Sequence, residues 1–369
     1  MSKPIVPPWH DGSKNLVRDI ATHLTRAKPT VLTTPGAVSL GERVQSEPVY
    51  RDAGRFSPAA FANARVMRRL LTGDPHDIWH FVFAPNPASS MAAAIAKRAR
   101  SLTGWRGKVV QTVASAPRDF GMMPRLVFGD VVVALSDWTR GQLLGSGVNG
   151  RLLRMIPPCV ARPRAPTSDE RKAVRVRFNL GDGPIVLYPG DYEVSRGAQT
   201  VAEAVSRIAR KIPEARVVFA CRPKTKGAAE AGHTIRVALD EAGLLQHTRD
   251  LGEIDDMPAL LAESSVVVFP VDDLYGKVDI PLVLLEALAL AVPLVVARGG
   301  PLETLECAKL VDPGDGVGLS AEVLAILGSS AVAGELGAHG LALYERRFRP
   351  AVAAEAYDDL YDELVRQRV

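Results

Sequence analysis

Short runs dense in Val and Ile alternate along this chain with longer segments whose apolar residues recur at helical spacing. That alternation restricts the fold more than any other feature. A strand buried on both faces needs an unbroken apolar run, and a parallel neighbour is reached only by a crossover, so the pattern calls for βαβ units and helix-covered parallel sheets. In the first half it predicts strands at Pro4–Val6, Val31–Thr33, Ile78–Phe83, Val109–Val113, Val131–Ala134 and Leu152–Ile156, with helices at Leu16–Thr25, Ala59–Leu71 and Ser89–Ser101. Pro157–Pro166 has no apolar period and reads as a linker. Beyond it come strands at Ile185–Tyr188, Arg216–Ala220, Val266–Phe269 and Leu294–Ala297, and helices at Gln199–Lys211, Thr234–Ala242, Met257–Ala262 and Leu282–Ala289. A chain of 369 residues exceeds what one core usually supports. The expectation is α/β: two Rossmann-like doubly wound domains at 1–160 and 184–345, a linker at 161–183, and a closing helix at 346–369 that can cross back to the first domain. Tyr344, Phe348, Tyr357 and Tyr361 fall at helical spacing near that end and are expected to pack.

Charge divides along the same line. Residues 1–165 carry 23 Lys and Arg against 10 Asp and Glu, and residues 166–369 carry 22 against 31. A basic first half fits either a solvated face or an anionic partner, such as a phospholipid surface or a lipid phosphate. Nucleic acid is not expected, because few aromatics interleave with the cations and no recognition motif is present. Cys159, Cys221 and Cys307 lie far apart, without metal-type spacing and in odd number, which points to a reducing cytoplasm. No segment approaches the ~20 apolar residues that span a bilayer, so the expectation is a cytoplasmic protein, peripheral at most on the inner membrane face.

Open parallel sheets bind ligands beyond the carboxyl ends of their strands, and four loops stand out there. In Tyr188-Pro-Gly-Asp-Tyr-Glu-Val-Ser-Arg-Gly197, Gly190 and Gly197 allow close backbone approach and Arg196 offers a charged fork suited to a diphosphate. In Tyr275–Glu286, Ile280 and Pro281 lead into the apolar helix of Leu282 and Val283, whose free N–H groups suit an anion. Glu286 is the one charge in that helix, a carboxylate that needs either an ion-pair partner or a ligand hydroxyl. Val296–Glu303 places Gly300 and Glu303 after a strand, and Pro7–Lys14 places His10, Gly12 and Ser13 between the first strand and helix. His80, alone in an apolar strand, fits a satisfied core histidine better than a cleft residue. Asp272-Asp273 reads as a solvated turn rather than a metal pair.

In this order, these elements resemble glycosyltransferase family 4, over nearly the whole chain. The resemblance implies the GT-B fold, two Rossmann-like domains facing a central cleft, and a retaining transfer from a nucleoside-diphosphate sugar to an acceptor hydroxyl. It implies that Gly190, Arg196 and Gly197 hold the donor diphosphate with Gly12 and the backbone of Ile280, Pro281, Leu282 and Val283. Glu286, the second of the family's paired glutamates, would take the donor ribose, with Gly300 and Glu303 completing the following element. Ser136 sits in its expected place after the strand near Asp130. No metal or other cofactor is implied.

Three positions depart from the family pattern. Val278 stands where the first glutamate belongs, Asp191 where a diphosphate-binding Arg is usual, and Ala114 where a His contacts the sugar. In one reading the sugar pocket is rebuilt, with Asp279 taking a hydroxyl contact and Lys277 supplying charge. They join His10 as catalytic candidates. In the other, the chain is an inactive nucleotide-sugar-binding protein.

Overall fold

The first half of the chain lays its Val- and Ile-rich runs into two parallel sheets. In chain order its elements are α1 (Gly12–His23), β1 (Thr30–Thr33), β2 (Gln45–Pro48), α2 (Ala60–Thr72), β3 (Ile78–Phe83), α3 (Pro87–Leu102), β4 (Lys108–Val113), α4 (Met123–Leu126), β5 (Val131–Ala134), α5 (Asp137–Gly145) and β6 (Leu153–Met155). Among the described residues β1 pairs only with β2, while β3, β4, β5 and β6 form a four-stranded sheet in that order. Successive strand residues point to opposite faces. Val110 and Val133 thus join Leu16 and Ile20 of α1 on one side, and Val109 joins Val66 and Ala93 of α2 and α3 on the other.

Helices α6 (Ser168–Arg177), α7 (Gly197–Lys211), α8 (Lys226–Glu241), α9 (Met257–Glu263), α10 (Leu282–Ala289), α11 (Gly316–Leu327), α12 (Ser330–Arg347) and α13 (Pro350–Arg366) follow. So do β7 (Ile185–Tyr188), β8 (Arg216–Phe219), β9 (Thr248–Asp250), β10 (Val266–Phe269), β11 (Leu294–Ala297) and β12 (Lys309–Val311). These six strands form one parallel sheet in the order β12-β11-β10-β7-β8-β9. Every residue of β7, β10 and β11 is buried, as strands covered on both faces require.

The computed structural model describes residues 3–9, 11–51, 60–222 and 226–367. Two units emerge: unit 1 comprises Met1–Ala161, Tyr275–Leu282 and Arg347–Val369, and unit 2 comprises Arg162–Leu274 and Val283–Arg346. Tyr357, Leu360 and Leu364 of α13 pack with α1 in the core of unit 1. Asp358 fastens the same helix by accepting from the backbone N–H groups of Thr25, Arg26 and Ala27 at 2.8–3.0 Å.

Two expectations need correction. Pro4–Val6 is not a strand: Pro4 has no N–H, Pro7 and Pro8 follow at once, and one ladder-like bond survives, from Ile5 N–H to the Leu32 carbonyl at 3.0 Å. The stretch 161–183 is not bare linker, because Thr167 opens α6 with a capping box. Its hydroxyl accepts from Glu170 N–H and its N–H donates to the Glu170 carboxylate. Arg171 and Arg175 of α6 then both grip Glu263 of α9. β2, β9 and β12, which the apolar pattern passes over, are edge strands; β2 and β9 are of polar composition and β12 is three residues long. All three cysteines are free thiols. Among the described residues no single helix is long and apolar enough to cross a membrane, and no cluster of His, Cys, Asp and Glu could hold a metal.

Candidate functional site

The order of the six-stranded sheet fixes where unit 2 can bind. From β7 the chain moves outward through β8 and β9, then returns to β10 on the other side of β7 and moves outward through β11 and β12. The loops after β7 and β10 therefore diverge, and a crevice opens at the carboxyl ends of these neighbours. Arg196 lies at the end of the first loop and Asp272 in the second. Together with Tyr192, Ser195, Gln199 and Asp273 they line a hollow of about 510 Å³.

Local chemistry shapes the first loop. The Tyr188 ring is fully buried, its hydroxyl donates to the Asp191 carbonyl at 2.9 Å, and a methyl group on Gly190 would fall inside the ring. Gly190 thus makes room for Tyr188. Gly197 has a similar duty, since a Cβ there would come within 2.8 Å of both the Tyr188 hydroxyl and Val271 Cγ2. Asp191 turns inward and accepts from the N–H groups of Glu193 and Val194 at 3.2 and 2.8 Å. The residue in the place of an expected arginine therefore organises the turn that leads to Arg196.

Arg196 is the N-cap residue of α7, and its side chain makes no capping bond. Its N–H donates to Asp272 Oδ1 at 3.2 Å and its Nε reaches Asp272 Oδ2 at 3.5 Å. The guanidinium lies over Gly314, where a Cβ would come within 2.8 Å of Nη2. With 67 % of the side chain exposed, the guanidinium remains open to an anion. Asp272 is thus not the solvated turn expected from the sequence: it holds both the backbone and the side chain of Arg196. The sequence carried no sign of this, because 76 positions separate the pair.

Elsewhere in unit 2, Glu303 reaches back to accept from Gly299 N–H at 2.7 Å and so braces the turn beside Gly300. Gly299 has φ +90°, whereas a Cβ on Gly300 would meet nothing within 4 Å. In α10, Ile280, Pro281 and Leu282 at its entry are buried, and Val283 and Glu286 are half-buried. Spaced three apart, Val283 and Glu286 share one helix face.

Unit 1 gathers a second set of candidates. Asp279 is 1 % exposed, and its Oδ2 accepts from the Ser136 hydroxyl at 2.9 Å. The same Ser136 oxygen caps α5 by accepting from Thr139 N–H at 3.1 Å. Asp279 Oδ1 and the Thr139 hydroxyl are both buried without a hydrogen-bond partner among the described residues. Burial pushes the Asp279 carboxyl up to about 6, against the pull of the Ser136 hydroxyl that donates to it. Val278 is buried against the first residue of α1: a Cβ on Gly12 would lie 3.0 Å from Val278 Cγ2. Lys277 is half-buried, and the Arg118 guanidinium sits 4.7 Å from the Tyr275 ring centroid. Ala114 is buried in the core beneath. His10 lies outside the described residues. His80 is a satisfied core residue: Nδ1 shares a hydrogen bond with the Tyr361 hydroxyl and Nε2 with that of Thr112, both at 2.7 Å, and burial pushes its pKa down to about 3.

Known proteins share both the pattern and the architecture. A family model described as glycosyl transferases group 1 matches residues 183–329. A GDP-mannose-dependent alpha-(1-6)-phosphatidylinositol monomannoside mannosyltransferase of Mycolicibacterium smegmatis is 26% identical over 341 residues, 87% of this chain and 86% of the relative. Its namesake in Mycobacterium tuberculosis is 26% identical over 280 residues, 73% of this chain and 71% of the relative. Among solved structures, HepE of Anabaena in complex with UDP-glucose superposes with a TM-score of 0.73 at 15% identity, covering 97% of this chain and 98% of that one. The chain is a glycosyltransferase of the GT-B fold, and its residues 183–329 match the glycosyl transferases group 1 model.

Proposed function

We propose that the chain transfers a hexose from a nucleoside-diphosphate sugar, GDP-mannose in the first instance, to a hydroxyl of a lipid-linked acceptor, with retention at the anomeric carbon. The observation that carries the reading is Arg196, an exposed guanidinium at the start of α7, in the crevice where the strand order of unit 2 reverses. The choice of donor and acceptor class follows the two mannosyltransferase relatives. The basic residues 1–165 suit an anionic acceptor presented at the inner membrane face.

In the proposed reaction the acceptor oxygen bonds to the anomeric carbon as the bond from that carbon to the phosphate oxygen breaks. The departing diphosphate takes the bonding electron pair and the acceptor proton. The chain's part is to stabilise charge developing on that leaving group. Arg196 leaves Asp272 for the phosphate, the N–H groups that open α7 and α10 add their dipoles, and Glu286 accepts from the donor ribose. A guanidinium and two helix ends need no metal for this work, so EDTA should leave turnover unchanged.

The test is a thermal-shift screen of GDP-, UDP- and ADP-sugars, followed by a mass-spectrometric transfer assay with a mannosylated phosphatidylinositol acceptor. GDP-mannose should raise the melting temperature and label the lipid. A shift with another donor alone would overturn the choice of sugar nucleotide, and no shift with any would overturn the reading.

A further inference from the structure

Unit 1 contains a cavity to which the proposed transfer assigns no role. It lies between β1 and β3; among the described residues β1 pairs only with β2 and β3 only with β4. Pro4–Val6 runs beside it as irregular backbone tied to β1 by one hydrogen bond, and Ile5 is part of its lining. The remaining space measures about 710 Å³, within the range of pockets that hold small ligands.

The cavity is mainly apolar and lies away from the residues gathered around Asp279. Ile20 and Leu24 of α1, Val31 of β1, and Trp79 and Phe81 of β3 line it, and all five are buried. It extends to Lys28 and Pro29 before β1 and to His76 and Asp77 before β3, at the amino-terminal edges of the strands. Gly12 and Val278 meet at the other end of α1, which at 12 residues is ~18 Å long. These side chains pack into the core on their far sides, and an apolar group in the space beside them would add dispersion contacts, so an apolar occupant is favoured.

Polar groups at the mouth indicate what the occupant must carry. Arg26 is held by Asp359 and Asp362, Arg69 by Glu47, and Lys3 by Asp11. Lys28 also lines the cavity, is exposed, and has no carboxylate partner among the described residues. His80, locked between Tyr361 and Thr112, adds no charge to the interior.

We infer that this cavity binds a single-chain anionic amphiphile, its acyl tail lying between β1 and β3 and its head group at Lys28. The tail adds dispersion contacts to the side chains that line the space, and the head supplies the charge that Lys28 lacks. Bound there, the ligand acts as a structural or regulatory lipid of unit 1, distinct from the acceptor.

The test is calorimetric titration of the full chain below the critical micelle concentration with laurate, dodecanol and inorganic phosphate. Laurate should bind with one-to-one stoichiometry, dodecanol at least tenfold more weakly, and inorganic phosphate not at all. Lys28→Glu, a surface change that leaves the core intact, should weaken laurate at least tenfold without affecting dodecanol. Val31→Trp should abolish both, with circular dichroism checking that this variant folds; if it does not, Leu24→Phe takes its place and should weaken both. Absence of saturable laurate binding, equal affinity for dodecanol, or indifference to Lys28→Glu would each overturn the inference.

Discussion

Helices α1 and α7 each open on a glycine, Gly12 and Gly197, yet their amino-terminal ends are filled differently. In α1 the chain supplies its own anion: Asp11 accepts from the N–H groups of Ser13 and Lys14 at 3.0 and 3.3 Å and pairs with Lys3. In α7 the capping position holds a cation, Arg196, and the nearby carboxylate is borrowed from Asp272 in another loop. A contact with an exposed guanidinium at 3.5 Å is worth no more than about 1 kcal/mol, so a diphosphate can displace it. An opening glycine does not by itself make an anion site. The residue at the cap decides whether the helix end is closed or available.

The strongest test of this contrast removes the cation. Arg196→Ala should lower kcat/KM for the nucleotide sugar by about 100-fold or more, the scale of a lost transition-state charge partner, and Arg196→Lys should recover only part of it because the fork is lost. Steady-state transfer kinetics decide this, and a change under threefold would return α7 to the same standing as α1. Next in size is the packing beneath the loop. Gly190→Ala places a methyl group inside the Tyr188 ring and should cost unit 2 about 2–3 kcal/mol, visible as a lower denaturation midpoint.

A third change acts only on unit 1 and depends on pH. The Asp279 carboxyl titrates at about 6 in the fold, above its ordinary 3.8, so the folded state holds the proton more tightly than the unfolded chain. Its contribution to stability is full below pH 4 and is lost as pH rises through 6. Asp279→Asn, never charged, should therefore be more stable than the parent by about 3 kcal/mol well above pH 6 and no different near pH 4, as thermal melts between pH 4 and 8 will read. The smallest effect sharpens the comparison from the other side. Asp11→Ala should cost about 1 kcal/mol as a lost cap while leaving the KM for the sugar donor unchanged.

What the sequence disclosed follows the physics of burial. β7, β10 and β11 begin and end where the apolar runs do, since strands covered on both faces leave no other pattern. The polar edge strands β2 and β9 and the three-residue β12 carry no such mark, and the strand expected at Pro4–Val6 does not form beside its prolines. Arg196 was legible as a charge after a strand. Its partnership with Asp272 was not, nor was that of Ser136 with Asp279, 143 positions away, because no local pattern records a contact made by the fold. The glycines were recognised as necessary, but one reason for them at Gly190 and Gly197, the buried Tyr188 side chain that a Cβ at either position would meet, was not legible.

The return of α13 to α1 has a bearing on synthesis. Unit 2 is an almost continuous stretch of chain, so it can assemble as soon as residues 162–346 have emerged, apart from the short insertion at 275–282. Unit 1 starts earlier and finishes later: the carboxylate of Asp358 and the rings of Tyr357 and Tyr361 reach it only after all of unit 2 has left the ribosome. Domains usually form from the amino terminus onward during translation. Here the later-made half is complete first, and the basic half waits with one face of its sheet exposed, so a nascent chain stalled before residue 350 should recruit holdase chaperones through unit 1.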